Sequence, residues 1–450
     1  MAHRPISVVP ATALEKSLAA IRREAGVPEA FPADVLEEAE AAARPVEGER
    51  ERMDIPFITI DPPGARDLDQ ALHIERRGSG HRVHYAIADV AAFVAPGGAI
   101  DREAHARGAT VYAPDGKAPL HPPVLSEGAA SLLPGEWRPA ILWTLDLEAR
   151  GELVATDVRR ALVRSVAQHT YDDVDDPLLR EVGERRLALE RERGGVRLAV
   201  PEQEVVRDGD GWTIRYRAPV ASEEHNAQIS LLTGMAAAEL MLRAGVGILR
   251  TQPPPDERAL ARLRRAAAAL GVPWPAGTPY AEFIRGLDPA KADHAAVLHE
   301  ASTVGRGASY TPFDGDPPEN ATHFAVAAPY AHATAPLRRL QDRFVSECCL
   351  GDPPDWVRAG LAELPAAMAA GARRANSVER AVVDLVEAVL LAGREGERFD
   401  AVVIDDGLVQ LRHPAVRAHV QGSPEVGSEV TVRLERADPA SRKVAFVTAP

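Results

Sequence analysis

The chain has 450 residues, which is too long for a single compact core, so two or three domains are expected. A hydrophobic content of 46% with 26% charged residues is ordinary for a globular protein, and no run of about 18 uncharged apolar residues predicts a membrane span. The formal net charge of −14 argues against nucleic-acid binding over the whole surface but not at an internal site, where local charge decides.

Cysteine and lysine are both scarce. The two cysteines, Cys348 and Cys349, are adjacent and belong to no CxxC or Cys/His spacing, so neither a disulfide nor a structural zinc site is expected. This cysteine usage fits a reducing, cytoplasmic location, which is therefore expected. Only four of the 52 basic residues are lysines. This suits bidentate phosphate contacts by arginine, or it reflects a compositional bias of the source genome.

The first predicted elements are two helices between residues 12 and 44. "TALEKSLAAIRREAG" ends at a glycine and "PADVLEEAEAAARP" is framed by prolines, both of which are typical helix boundaries. The pair forms either a packing arm or part of a helix-turn-helix unit. A charged linker is predicted at residues 46–54, followed by strands in "PFITID", "QALHIER" and "RVHYAIADVAAFV".

A mixed region follows, and helical patterns dominate from about residue 222 to 395. From residue 395 onward the chain is rich in valine, alternates apolar with polar residues and is punctuated by turn residues. Several short strands in so few residues predict a small barrel such as an OB-fold, or else a small β-domain without a ligand.

Three aspartates are crowded into "DPPGARDLDQ", residues 61–70. Asp61 ends a predicted strand, and Asp67 and Asp69 are two positions apart, which directs both side chains to one side of an extended backbone. Converging carboxylates repel unless a cation lies among them, and hard oxygen ligands favour Mg²⁺ or Mn²⁺. A solvated acidic turn, or Arg66 as a local counter-ion, is the alternative.

A second charged group lies in "YAHATAPLRRLQDRF", which contains His332, Thr334, Arg338, Arg339 and Asp342. The proline before "LRR" predicts the first turn of a helix, where an anion gains from free N–H groups, and an arginine there can stabilise charge on a phosphate. The alternative is a structural pair between one of the arginines and the aspartate.

Together these stretches resemble the RNB family, the RNase II and RNase R type of 3′-to-5′ exoribonuclease. "DPPGARDLDQ" is similar to the family's D-x5-D-x-D-D segment, and "YAHATAPLRRLQD" is similar to its Y-T-H-F-T-S-P-I-R-R-Y-x-D segment. Further resembling blocks occur in the family's order over roughly residues 54–392: "YAIADVAAFV" with Asp89, "GATVYAPDGKAPLHPPVLSEGAASLLPGEWRPAILWTLDL", and "RRANSVERAV" with Glu379. The end of the chain resembles a shortened S1 domain.

The resemblance implies a multidomain α+β fold with three parts. These are a small helical N-terminal domain (1–49), a mixed α/β RNB catalytic domain (50–394) and an S1-like OB-fold barrel (395–450). No stretch here resembles the cold-shock domains that often precede the catalytic region in the family, so we expect the helical arm to stand in their place.

The resemblance also implies the site residues. Asp61, Asp67, Asp69 and Gln70 would hold Mg²⁺, with Asp69 the most critical to the chemistry, and Arg338 would contact the scissile phosphate. RNA contacts would come from Tyr112, Tyr171 and Glu379 as well, although both tyrosines also suit an ordinary buried position. The main departure is Gln70, where the family usually has a fourth aspartate, because an amide oxygen carries no charge.

The expected activity is processive hydrolysis of single-stranded RNA from its 3′ end to nucleoside 5′-monophosphates by a two-metal scheme. The expected molecule is a monomer, with single-stranded RNA as its partner and no membrane. One alternative is an RNB scaffold that binds RNA but cuts it poorly because of Gln70. Another is a Mg²⁺-dependent phosphohydrolase for a small substrate, against which the S1-like end of the chain argues.

Overall fold

The computed structural model describes residues 9–44, 50–209, 211–217 and 219–449. The predicted helical N-terminal part is present and comprises β1 (Val9–Pro10), α1 (Ala11–Glu24) and α2 (Ala33–Ala42). Residues 46–49 of the predicted linker lie outside the described residues. Its residues 51–54 are not a linker but the start of a strand, because residues 51–53 pair with a parallel strand that satisfies backbone groups.

Five strands of the central region close a barrel, which the sequence patterns did not predict. The elements of this part are β2 (Glu51–Ile60), β3 (Gln70–Arg77), β4 (Gly80–Ala88), α3 (Ala99–Arg107), β5 (Val111–Ala113), β6 (Gly116–Ala118), β7 (Arg138–Leu147) and β8 (Leu153–His169). The order around this first barrel is β2-β3-β4-β7-β8. Antiparallel pairs join neighbours, and a parallel pairing of β2 with β8 closes the ring. The short β5–β6 hairpin lies outside it.

Strand β4 shows why this barrel is buried on both faces. Successive side chains of a strand point to opposite faces. Val83, Tyr85 and Ile87 belong to one apolar cluster, and the alternate residues Ala86 and Ala88 belong to another. The barrel is therefore covered by packed elements outside as well as filled inside, which agrees with the nearly unbroken burial of β4.

Helices dominate residues 222–395, as the patterns predicted, and some of them pack on the first barrel. The elements are α4 (Pro177–Glu192), β9 (Glu202–Asp208), β10 (Gly211–Arg217), α5 (Ala221–Ala244), β11 (Val246–Thr251), α6 (Glu257–Ala269), α7 (Tyr280–Arg285), α8 (Ala292–Val304), β12 (Ser309–Asp314), β13 (Thr322–His323), β14 (Ala328–Pro329), α9 (Leu340–Cys349), α10 (Asp355–Gly360) and α11 (Leu364–Leu391). β1, β10 and β9 form a small sheet, and β11 pairs with β12 and β13 with β14. None of the helices in the described ranges is long and apolar enough to cross a membrane.

The end of the chain forms the predicted second barrel. Its strands are β15 (Arg398–Asp405), β16 (Leu408–Leu411), β17 (Arg417–Gln421), β18 (Glu429–Asp438) and β19 (Lys443–Thr448). They close in the order β15-β16-β17-β19-β18, with β17 and β19 parallel. Five short strands in a closed ring are an OB-like architecture, so the multidomain α+β prediction is confirmed.

Helix α1 buries its apolar face on α11. Leu14, Leu18 and Ile21, three or four positions apart, lie in one cluster with Val378 and Leu385 of α11. α2 instead packs against α3. The two predicted N-terminal helices are thus both docked on the rest of the protein.

Candidate active site

The three aspartates lie on the loop that joins β2 to β3 at one end of the first barrel. At the start of the loop, the N–H of Asp61 donates to the C=O of His169, the last residue of β8, at 2.9 Å. Near its end, Leu68 is fully buried, and its N–H donates to Oγ of Ser131 at 2.9 Å. Both ends of the loop are therefore fixed to the barrel wall and its neighbours.

Asp69 is a buried carboxylate, with 4% of the residue exposed. Its Oδ1 accepts the N–H of Leu337 at 2.7 Å, and its Oδ2 lies 3.4 Å from Nε of Arg338. Burial raises the pKa of Asp69 to about 7, although the positive charge of Arg338 and the Leu337 N–H act in the opposite direction. The carboxylate thus lies where further positive charge would stabilise its ionised form.

Asp61 carries an unpaired buried oxygen. Burial raises the pKa of Asp61 to about 6, the charge of Arg338 opposes the rise, and the charge of Asp67 adds to it. Within the described part of the chain, Oδ2 of Asp61 is buried without a hydrogen-bond partner. A buried acceptor of this kind calls for a ligand, because most buried polar atoms in proteins are paired.

Asp67 is held by two residues of the β5–β6 hairpin. Nζ of Lys117 lies 2.7 Å from its Oδ1, and the O–H of Tyr112 donates to its Oδ2 at 3.3 Å. Nζ of Lys117 also lies 3.0 Å from Oε1 of Glu127. Burial lowers the pKa of Lys117, but the hydrogen bonds and charges of its two carboxylate partners outweigh burial and raise it above the ordinary value.

Sequence reasoning missed Lys117 and Glu127 as part of this site. They are separated from Asp67 by 50 and 60 positions, and although both lie in the long block that resembles the family, the resemblance gave a site role to neither of them. The rarity of lysine in this chain was the only signal that singled out Lys117.

The amide of Gln70 is directed at the barrel wall. Its Oε1 accepts the O–H of Tyr85, and Oγ of Ser230 on α5 lies 3.5 Å away. Tyr85 is fully buried, and burial raises the pKa of its hydroxyl, which therefore remains a donor. These partners compete with a metal ion for the oxygen of Gln70. The metal-ligand role predicted for Gln70 therefore stays a prediction.

The first helical turn predicted after Pro336 is wrong. Helix α9 begins at Leu340, and the three residues before Arg339 form a turn. The backbone of Arg339 is extended (φ −133°, ψ 121°) and bridges to Ala109. The N–H of Leu337, which a helix would leave free at its first turn, is taken by the carboxylate of Asp69.

The two adjacent arginines of this turn do different things. Nη2 of Arg339 lies 2.7 Å from Oδ2 of the fully buried Asp342, which is the structural pair foreseen as an alternative. Arg338 instead reaches Asp69, and 47% of its side chain is exposed. The N–H of Thr110 donates to the C=O of Arg338 at 3.0 Å, which ties this turn to the strand that carries Tyr112.

The remaining predicted RNA contacts are not all brought to the aspartates. Tyr171 is half-buried, and burial raises the pKa of its hydroxyl. The negative charge of Asp61 is the second cause of this rise, which indicates that the two side chains are neighbours. Glu379 is exposed on α11 and makes no hydrogen bond or ion pair within the described residues. Tyr112 lies at the site through Asp67 and is 50% exposed.

Two other residues from the motifs have structural partners. Asp89 is buried and paired with Arg50 at 2.8 Å and with Arg160 at 3.3 Å. The guanidinium of Arg66 lies 3.4 Å from the C=O of Glu127, so it is not the counter-ion of the aspartates.

The donor set fits a hard divalent cation in chemical type. Oxygen ligands from carboxylates suit Mg²⁺ and Mn²⁺, and the unpaired Oδ2 of Asp61 is available. Among the described residues, however, no three His, Cys, Asp or Glu side chains are grouped closely enough to form a metal site by themselves. The predicted ligand set of Asp61, Asp67, Asp69 and Gln70 therefore stays a prediction.

Family profiles cover most of the chain. The RNB domain matches residues 50–348, and the RNase II-type exonuclease C-terminal S1 domain matches residues 397–449. Ribonuclease R of Escherichia coli (strain K12) is 26% identical over 485 residues, which cover 92% of this chain and 58% of that protein. Ribonuclease R of Aquifex aeolicus (strain VF5) is 28% identical over 429 residues, covering 85% and 59%. The chain thus spans less than two thirds of the length of these relatives.

Solved structures share the fold. RNase R of Mycoplasma genitalium in complex with ribose-methylated single-stranded RNA superposes with a TM-score of 0.87 at 16% identity, covering 96% of this chain and 78% of that one. Yeast Ssd1, a pseudonuclease, gives a TM-score of 0.72 at 16% identity, covering 93% and 56%. With the RNB match over well over half of its length, the chain belongs to the RNB family and ends in an S1 domain of the RNase II type.

Proposed function

We propose that this chain is a 3′-to-5′ exoribonuclease that hydrolyses single-stranded RNA processively to nucleoside 5′-monophosphates. The observation that carries the proposal is the pairing of Arg338 with Asp69, which are 269 positions apart in the chain. A half-exposed guanidinium beside a buried carboxylate is suited to binding a phosphate next to a cation. The ribonuclease R relatives, and the single-stranded RNA in one related structure, support the substrate class.

We propose that Asp61, Asp67, Asp69 and Gln70 hold Mg²⁺ or Mn²⁺. When bound, the ion would supply Lewis-acid activation of water and neutralise charge at the phosphate. The chain's own contribution is orientation. The Leu337 N–H and Arg338 fix both oxygens of Asp69, so this carboxylate is pre-positioned rather than free to rotate.

Arg338 is the residue proposed to stabilise negative charge on the phosphate in the transition state. As the water oxygen bonds to phosphorus and the P–O3′ bond breaks, negative charge builds on the non-bridging oxygens, and a guanidinium can pair two of them. The proton lost by water and the proton gained by the leaving 3′ oxygen balance the reaction. Tyr112 and Tyr171 offer stacking surfaces for the last bases, and Glu379 remains assigned to RNA by resemblance alone.

A second candidate function is an RNB scaffold that binds RNA without cutting it efficiently. Two observations favour it: the amide of Gln70 is bonded to Tyr85 rather than open, and Lys117 already occupies Oδ1 of Asp67. A pseudonuclease among the structural relatives has the same fold.

One assay separates the two functions. The protein is incubated with 5′-labelled single-stranded RNA and Mg²⁺, and stepwise shortening that EDTA stops is expected. Asp69→Asn should slow the shortening by about a hundredfold or more, because one charge that orients the site is lost. Asp157→Asn, on the exposed part of β8, is the matched control and should leave the rate unchanged.

The outcomes are distinct. RNA binding without shortening by the unaltered chain would support the scaffold function. Shortening that Asp69→Asn leaves unaffected would show that the assigned site is wrong, even if the activity is right.

We also propose the division of the chain into a helical N-terminal domain at 1–49, a catalytic domain at 50–394 and an S1-like barrel at 395–450. The profile matches, which begin at residue 50 and at residue 397, support two of these starts.

A further inference from the structure

The ammonium of Lys117 lies between two carboxylates, as a coordinated metal ion would. The β5–β6 hairpin pairs Tyr112 directly with Lys117 across its two strands, and opposite residues of an antiparallel pair project to the same face. Both side chains therefore reach the same carboxylate, that of Asp67. The ammonium lies between Asp67 and Glu127, at 2.7 Å and 3.0 Å from one oxygen of each.

The hairpin that carries Lys117 is also held by contacts with α1 and α11. Nη1 of Arg22 on α1 lies 2.5 Å from Oδ1 of Asp115, in the hairpin turn. Val111 and Ala118 of the hairpin are buried in the cluster that α1 and α11 share. The backbone that carries Lys117 is thus held by contacts independent of Asp67 and Glu127, so an ammonium within reach of these two carboxylates is part of the fold.

The charges around the site indicate how many divalent ions it can hold. Four carboxylates belong to it, those of Asp61, Asp67, Asp69 and Glu127, and two side-chain cations offset them. Arg338 forms an ion pair with Asp69, and Lys117 forms ion pairs with Asp67 and Glu127. With all four carboxylates ionised, as they would be beside a bound cation, the remaining formal charge is −2, which a single divalent ion balances. Gln70 adds no charge, because its amide is neutral and bonded to Tyr85.

We propose that the ammonium of Lys117 is a built-in cation of this site, which takes the electrostatic place of a second divalent ion and limits the chain to one. An ammonium is a compact, strongly hydrated point charge, and in this respect it resembles a metal ion more closely than a guanidinium does. The inference deepens the proposed nuclease site and rests on it for its link to catalysis, but the number of bound ions is measurable without any RNA.

The test is a Mn²⁺ titration of the full chain in the absence of RNA, with free Mn²⁺ followed by electron paramagnetic resonance. The unaltered chain should bind one ion. Lys117→Met keeps the aliphatic stem but removes the charge, so a second ion should bind, with an affinity about tenfold or more above any second binding to the unaltered chain. Lys117→Arg keeps the charge and should bind one ion.

Lys291→Met is the matched control, because it removes an exposed lysine at the start of α8, and it should titrate like the unaltered chain. Thermal unfolding followed by circular dichroism checks that each variant is folded, and Lys117→Gln provides a second neutral variant. Two ions of similar affinity in the unaltered chain overturn the proposal. Identical Mn²⁺ titration curves for Lys117→Met and the unaltered chain would also overturn it.

Failure of the inference and failure of the proposed function are distinguishable. If the curves follow the expectation while the unaltered chain does not shorten RNA, the assignment of Lys117 stands and the nuclease function falls. If RNA is shortened but two ions bind with or without Lys117, the nuclease function stands and the assignment of Lys117 falls.

Discussion

At the scale of single residues, neighbours far along the chain decide what each polar group of the site can do. Asp69 meets Leu337 and Arg338, and Asp67 meets Lys117. Gln70 is the residue whose chemistry depends most on its surroundings, because its oxygen accepts from Tyr85. An aspartate at this position would add a negative charge to the site, but its side chain is one methylene shorter than that of glutamine.

Gln70→Asp should therefore tighten divalent-ion binding at some cost in stability. The added charge is expected to lower the Mg²⁺ concentration needed for RNA shortening by about tenfold, and the lost bond from Tyr85 costs about 1 kcal/mol of unfolding free energy. Both are measurable, by a Mg²⁺ titration of the shortening rate and by urea denaturation. Asn320→Asp, which adds the same charge at an exposed position between β12 and β13, is the control. An unchanged Mg²⁺ requirement would show that the side chain at position 70 does not face the ion.

Resemblance and spacing singled out Asp61, Asp67, Asp69 and Arg338 as candidates because each belongs to a recognisable motif. Lys117 and Glu127 were out of reach of such reasoning, since Lys117 comes near Asp67 only when the β5–β6 hairpin folds back on the loop, and Glu127 joins the group through its contact with Lys117. The turn at Pro336 was mispredicted for a related reason. Local sequence favoured a helix start, but a contact with a carboxylate from another element took the N–H group that the helix would have left free.

At the scale of elements, α1 is a support for the hairpin that carries Tyr112 and Lys117. Its amphipathic pattern predicted a helix with one buried face, but not the surface on which that face packs. The structure places it on α11 and beside the hairpin, through Leu18 in the shared cluster and Arg22 on Asp115. Of the two alternatives for the N-terminal helices, this contact agrees with a packing arm.

Leu18→Ala should destabilise the chain strongly. Leu18 is 1% exposed, and truncation of a buried leucine leaves a cavity that typically costs about 2–5 kcal/mol of unfolding free energy. Urea denaturation followed by circular dichroism measures the change. Leu36→Ala, on α2, is the matched control because Leu36 is 43% exposed and should cost well under about 1 kcal/mol. Equal effects of the two variants would contradict the docking of α1.

At the scale of the whole molecule, the C-terminal barrel is joined to the catalytic region by partly buried hydrogen bonds. Oε1 of Glu387, on α11, accepts the N–H of Arg417 at 2.8 Å and the side-chain amide of Gln203 at 2.6 Å. The hydroxyl of Tyr216 donates to the C=O of Leu411 at 3.3 Å. The sequence predicted the barrel itself from its alternation, but these contacts join three separate parts of the chain and have no local pattern.

Glu387 should make stability depend on pH. Burial raises the pKa of Glu387 from 4.5 to about 7, the charge of Asp384 adds to the rise, and Arg417 opposes it through its backbone N–H and its charge. The folded state therefore binds the proton more tightly than the unfolded state. The contribution of Glu387 to stability is present below about pH 4.5 and is lost as pH rises to about 7, by about 3 kcal/mol.

Glu387→Gln keeps the accepting oxygen but does not titrate. Its unfolding free energy should therefore rise relative to the unaltered chain between about pH 4.5 and pH 7, as measured by urea denaturation at several pH values. Glu379→Gln, an exposed glutamate of the same helix, is the control for this stability measurement. Parallel pH curves for Glu387→Gln and the unaltered chain would contradict the assignment.

The hydrogen bond from Leu337 to Asp69 has a consequence for biosynthesis. Its two ends are 268 positions apart, and the arginine beside Leu337 is the one that faces the aspartate. A nascent chain on the ribosome can close the first barrel once β8 has emerged, but it cannot complete the site until residue 338 is outside the exit tunnel. The aspartate loop is thus made early and finished late, and products of interrupted translation that end before this turn contain the three aspartates without Arg338.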